Sequence, residues 1–430
     1  MAFAKPTVND VVRRLAGVMP AANSLWEFED LLLHFLSREF PELSDPERRK
    51  LAADTSNFGI LQKFMEEPLV EDIMINGLNH IFVCDSRKGM IESDVKFNSY
   101  DELDDFIKKL LLFSGKAELH RINDFYVPGG ARANIIYSPF GPQITIRRFK
   151  QVPPSIIDLI DWGMLDFQIA AQLWLYVDGL GVKPANMLIT GGPAAGKTTL
   201  LNAMFSFMPE GQRIVVCEDT LELNTKTEKN CSRLVSGDGV SLEDLVKNSL
   251  RMRPDRIVVG EVRGAEAMDM MTAMNVGRVC MGTLHAGSAR EAILRLQSAP
   301  MSVPVQSIPL IDIIVSTGRF IQNGKMFRMI TGISEISGIE SGKVLLADRY
   351  SFDFKTRRLV ETSPSVVYRD RLAFASGVQP KALMENIKVR EAILRELKRQ
   401  GITSLEAISS FCKAYHETPA EALKEYKFKV

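Results

Sequence analysis

Residues 186–205 read Asn-Met-Leu-Ile-Thr-Gly-Gly-Pro-Ala-Ala-Gly-Lys-Thr-Thr-Leu-Leu-Asn-Ala-Met-Phe: an apolar run, a glycine-rich octet and a helix-like run in direct succession. The octet Gly191-Gly192-Pro193-Ala194-Ala195-Gly196-Lys197-Thr198 fits the spacing G-x-x-x-x-G-K-[ST] of a phosphate-binding loop. Glycine tolerates positive φ, which lets successive N–H groups converge on phosphate oxygens. Lys197 is placed to reach the β- and γ-phosphates, and the Thr198 hydroxyl is placed to ligate Mg²⁺. The helix-like run that opens at Thr199 adds the positive end of its dipole. ATP with Mg²⁺ is therefore the expected ligand of Gly191 to Thr199. A glycine-rich turn that binds nothing would not require strand, full motif and helix together.

Strand and helix signals alternate after the loop, as a parallel sheet with crossover helices requires. The run Arg213-Ile214-Val215-Val216-Cys217 ends in Glu218 and Asp219, and Arg256-Ile257-Val258-Val259-Gly260 ends in Glu261. Ligands of open α/β sheets bind at the carboxyl ends of the strands, so both glutamates are expected beside the phosphates. A carboxylate there can orient or deprotonate the attacking water, or hold a water of the metal shell. Glu261 is the first choice for that task and Glu218 its assistant; the alternative is that each caps the next helix. Gly260 stands where a Walker B strand usually carries Asp, so Mg²⁺ is expected on Thr198 and waters. A third run, Val279 to Leu284, delivers His285. An imidazole at that strand end can sense the γ-phosphate, although a lone histidine more often satisfies a core or a cap.

A chain of 430 residues predicts two to four domains. With 53 basic and 53 acidic residues it carries no global attraction for nucleic acid or an anionic membrane. Cys84, Cys217, Cys231, Cys280 and Cys412 contain no C-x-x-C pair, which reads as reduced thiols rather than a zinc site or a disulfide framework. Because no run reaches 18 uninterrupted apolar residues, a cytoplasmic protein with at most peripheral membrane contact is expected. The expected organisation is a helical lead over 1–55, a mixed αβ domain over 56–149, a proline-bearing linker over 150–155, a P-loop domain over 156–335, and β segments with a helical unit over 336–430. Helical spacing marks 24–40, a helix opening at Asp45, and helices over 100–114, 381–399, 404–414 and 419–426. Strands are expected at 73–77, 80–84, 132–137 and 144–149.

Four ordered blocks carry a resemblance: the loop Gly191 to Thr198, the acidic block Cys217-Glu218-Asp219-Thr220-Leu221-Glu222-Leu223, the stretch Leu250 to Gly264 containing Gly260-Glu261, and Gly282-Thr283-Leu284-His285-Ala286. Together they resemble the Walker A, Asp box, Walker B and His box of the type II/IV secretion system ATPase superfamily, the traffic ATPases. That resemblance implies an α/β fold: a RecA-like P-loop ATPase core, a smaller mixed αβ N-terminal domain and a helical C-terminal unit. It further implies a homo-oligomer, a hexameric ring, with nucleotide between the two domains and arginines supplied by the first domain. Arg132, Arg147 and Arg148 match that pattern, and an arginine fork suits phosphate.

The implied activity is a cytoplasmic ATPase motor at the inner face of the cell membrane. Its turnover would drive a type IV pilus-like or archaellum-like filament, or secretion, through a polytopic membrane platform protein, with His285 coupling γ-phosphate loss to domain rotation. Departures from the pattern are Arg278 in Asn275-Val276-Gly277-Arg278, Gly287-Ser288 after the His box, and the missing four-cysteine element. The first two leave the subfamily open, while the missing four-cysteine element, together with the helical tail, points toward the archaeal pilus, archaellum and tight-adherence branches. Two alternatives remain open at this point. A nucleic-acid-translocating P-loop ATPase would need a basic track that the balanced charge does not suggest. A nucleotide-binding structural scaffold would not need the reactive residues of all four blocks.

Overall fold

The computed structural model describes residues 6–20, 25–85, 88–116, 118–148, 153–237, 239–322, 325–356, 358–426 and 428. The chain forms two compact units, 1–152 and 153–430. Half of the expected linker, residues 150–152, lies outside the described residues, as does Phe149.

The first unit carries a six-stranded sheet in the order β3-β2-β1-β6-β5-β4. Its strands are β1 (Val70–Asn76), β2 (Ile81–Asp85), β3 (Gly89–Glu92), β4 (Ile122–Val127), β5 (Ala131–Ser138) and β6 (Gly141–Arg148). Every neighbouring pair is antiparallel. Period-two burial sets the register: Ile73 and Ile75 of β1 and Ile144 and Ile146 of β6 are buried, while their neighbours are less so. The helix Tyr100–Ser114 starts at Ser99, whose hydroxyl accepts the Glu102 N–H, and stops at Gly115, whose φ of 68° ends the helical hydrogen bonding. Helices Val8–Leu15, Leu25–Glu39 and Asp45–Ser56 precede the sheet. Their apolar faces share its core: Val11, Leu15, Phe28, Leu32 and Leu36 join Ile73, Ile135 and Ile146, and Phe28 meets Phe113 edge-on at 4.8 Å. The lead is thus one packed body with the αβ segment. Strand β4 went unnoticed because its buried Phe125 and Val127 alternate with polar residues over only six positions.

The second unit carries a nine-stranded sheet in the order β15-β14-β13-β12-β7-β11-β10-β8-β9. Its strands are β7 (Met187–Gly191), β8 (Ile214–Glu218), β9 (Cys231–Val235), β10 (Arg256–Val262), β11 (Val279–Leu284), β12 (Ile313–Gln322), β13 (Lys325–Glu340), β14 (Lys343–Asp353) and β15 (Arg358–Glu361). From β12 to β9 the neighbours run parallel, and from β12 to β15 they form an antiparallel meander. The parallel strands β7, β8, β10 and β11 are largely buried on both faces, as near-continuous apolar runs demand, whereas the edge strand β9 is partly exposed. Ile189, Val216, Val258 and Met281 face one core with Trp174 and Phe207, whereas Leu188, Val215, Val259 and Cys280 face a second.

The boundary expected at residue 335 falls inside β13. The C-terminal helices Val367–Ser376, Pro380–Arg399, Leu405–Glu417 and Pro419–Glu425 bury Leu383, Leu394, Phe411 and Tyr415 in the same core as Trp174. A buried pair reinforces this packing: Arg390 Nη1 lies 2.6 Å from Asp178 Oδ2, and its guanidinium sits 4.7 Å from the Trp174 ring centroid. Helical periodicity shows which face of a helix is apolar, not what that face covers, so the sequence marks the tail as a separate unit although its helices complete this core. Among the described residues no helix is long and apolar enough to cross a membrane.

Candidate functional site

The octet leaves β7 at Gly191 and enters the helix Lys197–Met204 at Lys197. Gly196 caps that helix with φ 90°, and Ala194 also has a positive φ, 55°. Glycine is required at position 191 for another reason: a Cβ there would stand 2.2 Å from Thr317 Oγ1 of β12, whose hydroxyl donates to Thr190 O at 2.9 Å. The first helical donor to find a main-chain acceptor is Leu200, whose N–H reaches Gly196 O at 2.9 Å. No side chain caps the helix, so the N–H groups of Lys197, Thr198 and Thr199 are the orphans of a helix start.

Lys197 is 8% exposed and donates from Nζ to Gly191 O at 3.1 Å and Gly192 O at 3.2 Å. Burial lowers its pKa, while Glu261 and Glu222 pull it back up. A Cβ added to Gly192 would meet nothing within 4 Å, so the space over the loop is open. A buried ammonium held only by loop carbonyls, orphan N–H groups and open space together fit a phosphate chain. Among the described residues no group of three carboxylate, histidine or cysteine side chains is arranged for a metal ion. Mg²⁺ would then arrive with the nucleotide and meet the Thr198 hydroxyl.

Parallel pairing of β7, β11, β10 and β8 gathers their carboxyl ends at the loop. Glu261 and His285 are brought together there: Nε2 of His285 lies 3.2 Å from Glu261 Oε1. Burial and then the charge of Lys197 lower the His285 pKa, against the opposing pull of Glu261. The neutral ring is thus favoured near pH 7, and the acceptor-only carboxylate favours the tautomer with its proton on Nε2. Arg263 Nη2 lies 3.9 Å from Glu261 Oε2 and 2.8 Å from Asp219 Oδ2, and Arg295 donates to the His285 carbonyl.

Glu218 is used differently. It is fully buried; Oε1 accepts the N–H groups of Glu222 and Leu223, each at 2.8 Å, and Oε2 lies 3.4 Å from Arg233. Burial raises its pKa against those bonds. Its oxygens therefore fold the 219–223 segment back onto β8.

The three arginines of the first unit have partners within that unit. Arg132 forms a forked pair with Asp124, and Arg147 Nε reaches Asp72 at 2.9 Å. Arg148 donates to the carbonyls of Phe64 at 2.9 Å, Val70 at 3.1 Å and Glu67, and burial lowers its pKa. Sequence reasoning passed over the second wall of the loop, where Arg328 of β13 donates from Nε to Ala194 O at 2.9 Å and Met164 lies against Gly196. A signal was present: Asn323-Gly324 between two apolar runs is a hairpin sequence that would set Arg319 opposite Arg328.

The profile of the family described as "Type II/IV secretion system protein" matches residues 54–317, and the chain belongs to that family. An uncharacterized protein of Methanocaldococcus jannaschii is 31% identical over 401 residues, which cover 89% of this chain and 72% of that protein. The protein VirB11 of Rhizobium radiobacter is 28% identical over 288 residues, 58% of this chain and 82% of its own. Among solved structures, the pilus retraction motor PilT with bound ADP is similar over 86% of this chain and 96% of its own, at a TM-score of 0.49 and 18% identity. The nine-stranded unit, with its loop between β7 and a helix, has a RecA-like P-loop fold.

Proposed function

We propose that this chain hydrolyses ATP with Mg²⁺ and converts turnover into mechanical work for a pilus-like, archaellum-like or secretion machine. The observation that carries the reading is the convergence of Lys197, Glu261 and His285: a buried ammonium on the phosphate loop, and beside it a carboxylate 3.2 Å from an imidazole. Lys197 and the orphan N–H groups hold the phosphate chain, and Thr198 would hold Mg²⁺. When bound, Mg²⁺ supplies charge neutralisation at the transferring phosphoryl group. Glu261 orients the attacking water and takes its proton. Neutral His285 keeps the Glu261 carboxylate in place and registers the loss of the γ-phosphate. Glu218 supports the site by shaping the 219–223 segment rather than by touching water.

The working form is a ring of copies of this chain, six by the family pattern, at the cytoplasmic face of a membrane and in contact with a polytopic platform protein. Arg132, Arg147 and Arg148 would serve phosphate in such a ring only after exchanging the partners they hold here. Phosphate release from Mg-ATP by the purified chain tests the reading. Wild type should turn over and Lys197→Ala should not; equal turnover by Lys197→Ala removes the loop from catalysis. Stimulation by single-stranded or duplex DNA that vanishes with salt would instead favour nucleic-acid translocation.

A further inference from the structure

In the β12–β13 hairpin Arg319 stands directly opposite Arg328. Directly opposed residues of an antiparallel pair share a face with Cβ atoms roughly 5 Å apart, and like charges so placed destabilise the sheet. Other strand arginines of this chain avoid that cost by pairing: Arg132 with Asp124, Arg147 with Asp72, Arg233 with Glu218 and Arg349 with Glu361. Among the described residues Arg319 makes no hydrogen bond or ion pair, and Arg328 makes one, from Nε to the carbonyl of Ala194.

That one bond fixes where the pair sits. Ala194 lies within the phosphate loop and holds φ 55°, a left-handed backbone that costs a residue with a Cβ roughly 1–2 kcal/mol. Arg328 Cδ comes within 3.7 Å of a Cβ position on Gly196, and Ile330, two residues on, donates to Met164 O at 2.9 Å. The hairpin is therefore seated against the loop, with two guanidinium groups on the seated face and no carboxylate among the described residues to neutralise them. The anion that the loop brings to this place is the phosphate chain of its nucleotide.

We propose that Arg319 and Arg328 form an anion clamp, within one chain, for the nucleoside di- or triphosphate held by the loop. The proposal rests on the nucleotide-binding part of the reading above. The sheet order says what kind of contribution this is. The order β13-β12-β7-β11-β10 puts the arginines on one flank of the loop and Glu261 with His285 on the other. The clamp thus grips phosphate oxygens away from the reacting end and holds ATP and ADP alike. Binding shared by ground state and transition state appears in KM and not in kcat.

The test measures Kd for Mg-ATP and Mg-ADP, with kcat at saturating ATP, on the full chain. The variants are Arg319→Ala, Arg328→Ala, Arg319→Lys, Arg328→Lys and Lys197→Ala. Arg319→Ala should weaken both nucleotides about fivefold and Arg328→Ala about tenfold, with kcat within about twofold of wild type. Lysine should restore most affinity at 319, where charge alone acts, and less at 328, where the fork also holds Ala194. Arg319 touches nothing in the loop, so Arg319→Ala stays informative even if Arg328→Ala melts early. Wild-type Kd values in Arg319→Ala, or a fall in kcat with unchanged Kd, overturn the clamp. Loss of turnover in Lys197→Ala alongside neutral arginine variants sinks the clamp and leaves the ATPase reading standing. Normal turnover in Lys197→Ala with weakened arginine variants does the reverse. A wild-type chain that binds neither nucleotide overturns both.

Discussion

Gly260 lies so close to Glu218 that a Cβ on it would come 3.0 Å from the Glu218 Cγ. Glu218 cannot easily retreat, because its Oε1 is fixed by the N–H groups of Glu222 and Leu223. A side chain at position 260 would therefore press on the buried Glu218 side chain of the neighbouring strand. Gly260→Asp should lower unfolding stability by about 1–3 kcal/mol, the usual cost of overpacking. Urea denaturation checks this, and an unchanged midpoint would show that Glu218 can yield.

Glu261→Gln keeps the size of the side chain and removes its basicity. ATP affinity should stay within about twofold of wild type, while kcat falls at least about 100-fold, the scale of a lost general base. Single-turnover hydrolysis measures this; near-normal turnover would move the base role to another group.

His285 gives a pH signature with a defined sign. Burial and Lys197 depress its folded pKa below the unfolded value of 6.5, so the unfolded chain binds the proton first. Its contribution to stability is complete above pH 6.5 and is lost as pH falls from 6.5 through the depressed folded value. In His285→Asn the fall of Tm with acidification should be shallower across that window. Identical slopes for wild type and variant would refute the shift.

Arg148 and Arg132 should separate cleanly in stability. Arg148→Ala leaves three carbonyls without their donor, and the first unit should lose about 1–3 kcal/mol. Arg132→Ala breaks one half-exposed ion pair with Asp124 and should cost at most about 1 kcal/mol. Hydrogen exchange on residues 64–76 reads the difference, and equal protection in both variants would contradict the structural role of Arg148.

Arg390→Ala should cost about 3–5 kcal/mol, because Asp178, 2% exposed, is left as an uncompensated buried charge. Replacing Arg390 and Asp178 together with Met and Leu should recover most of that loss. Denaturation of the single and double variants forms the check, and a single variant as stable as wild type would mean that the pair is not closed in solution.

The phosphate-loop motif and the strand ends beside it were legible because they are local. A strand, a glycine pattern and a helix start lie within 20 positions, and parallel topology requires that Glu261 and His285 join them. The helix 100–114 was legible in full because Ser99 and Gly115 mark its ends in sequence. What escaped was long-range. Glu218 looks like a second base until its oxygens are found on Glu222 and Leu223. Nothing local to Arg148 shows that it donates to carbonyls of the 64–70 segment, about 80 residues away. Arg328 has no local mark of function; its partner Ala194 is 134 residues distant.

Trp174 is buried between Phe207, stacked at 5.4 Å, and Tyr415, edge-on at 5.4 Å. More than two hundred residues of chain separate the outer members of that trio. On a ribosome working at about 5–20 residues per second, the hydrophobic face of the 167–178 helix therefore stays uncovered for about ten seconds or longer after it emerges. The phosphate loop can form its turn early, but Trp174 and Phe207 gain their outer cover only when the 405–417 helix arrives. During synthesis the core around Trp174 therefore closes only after the 405–417 helix has emerged.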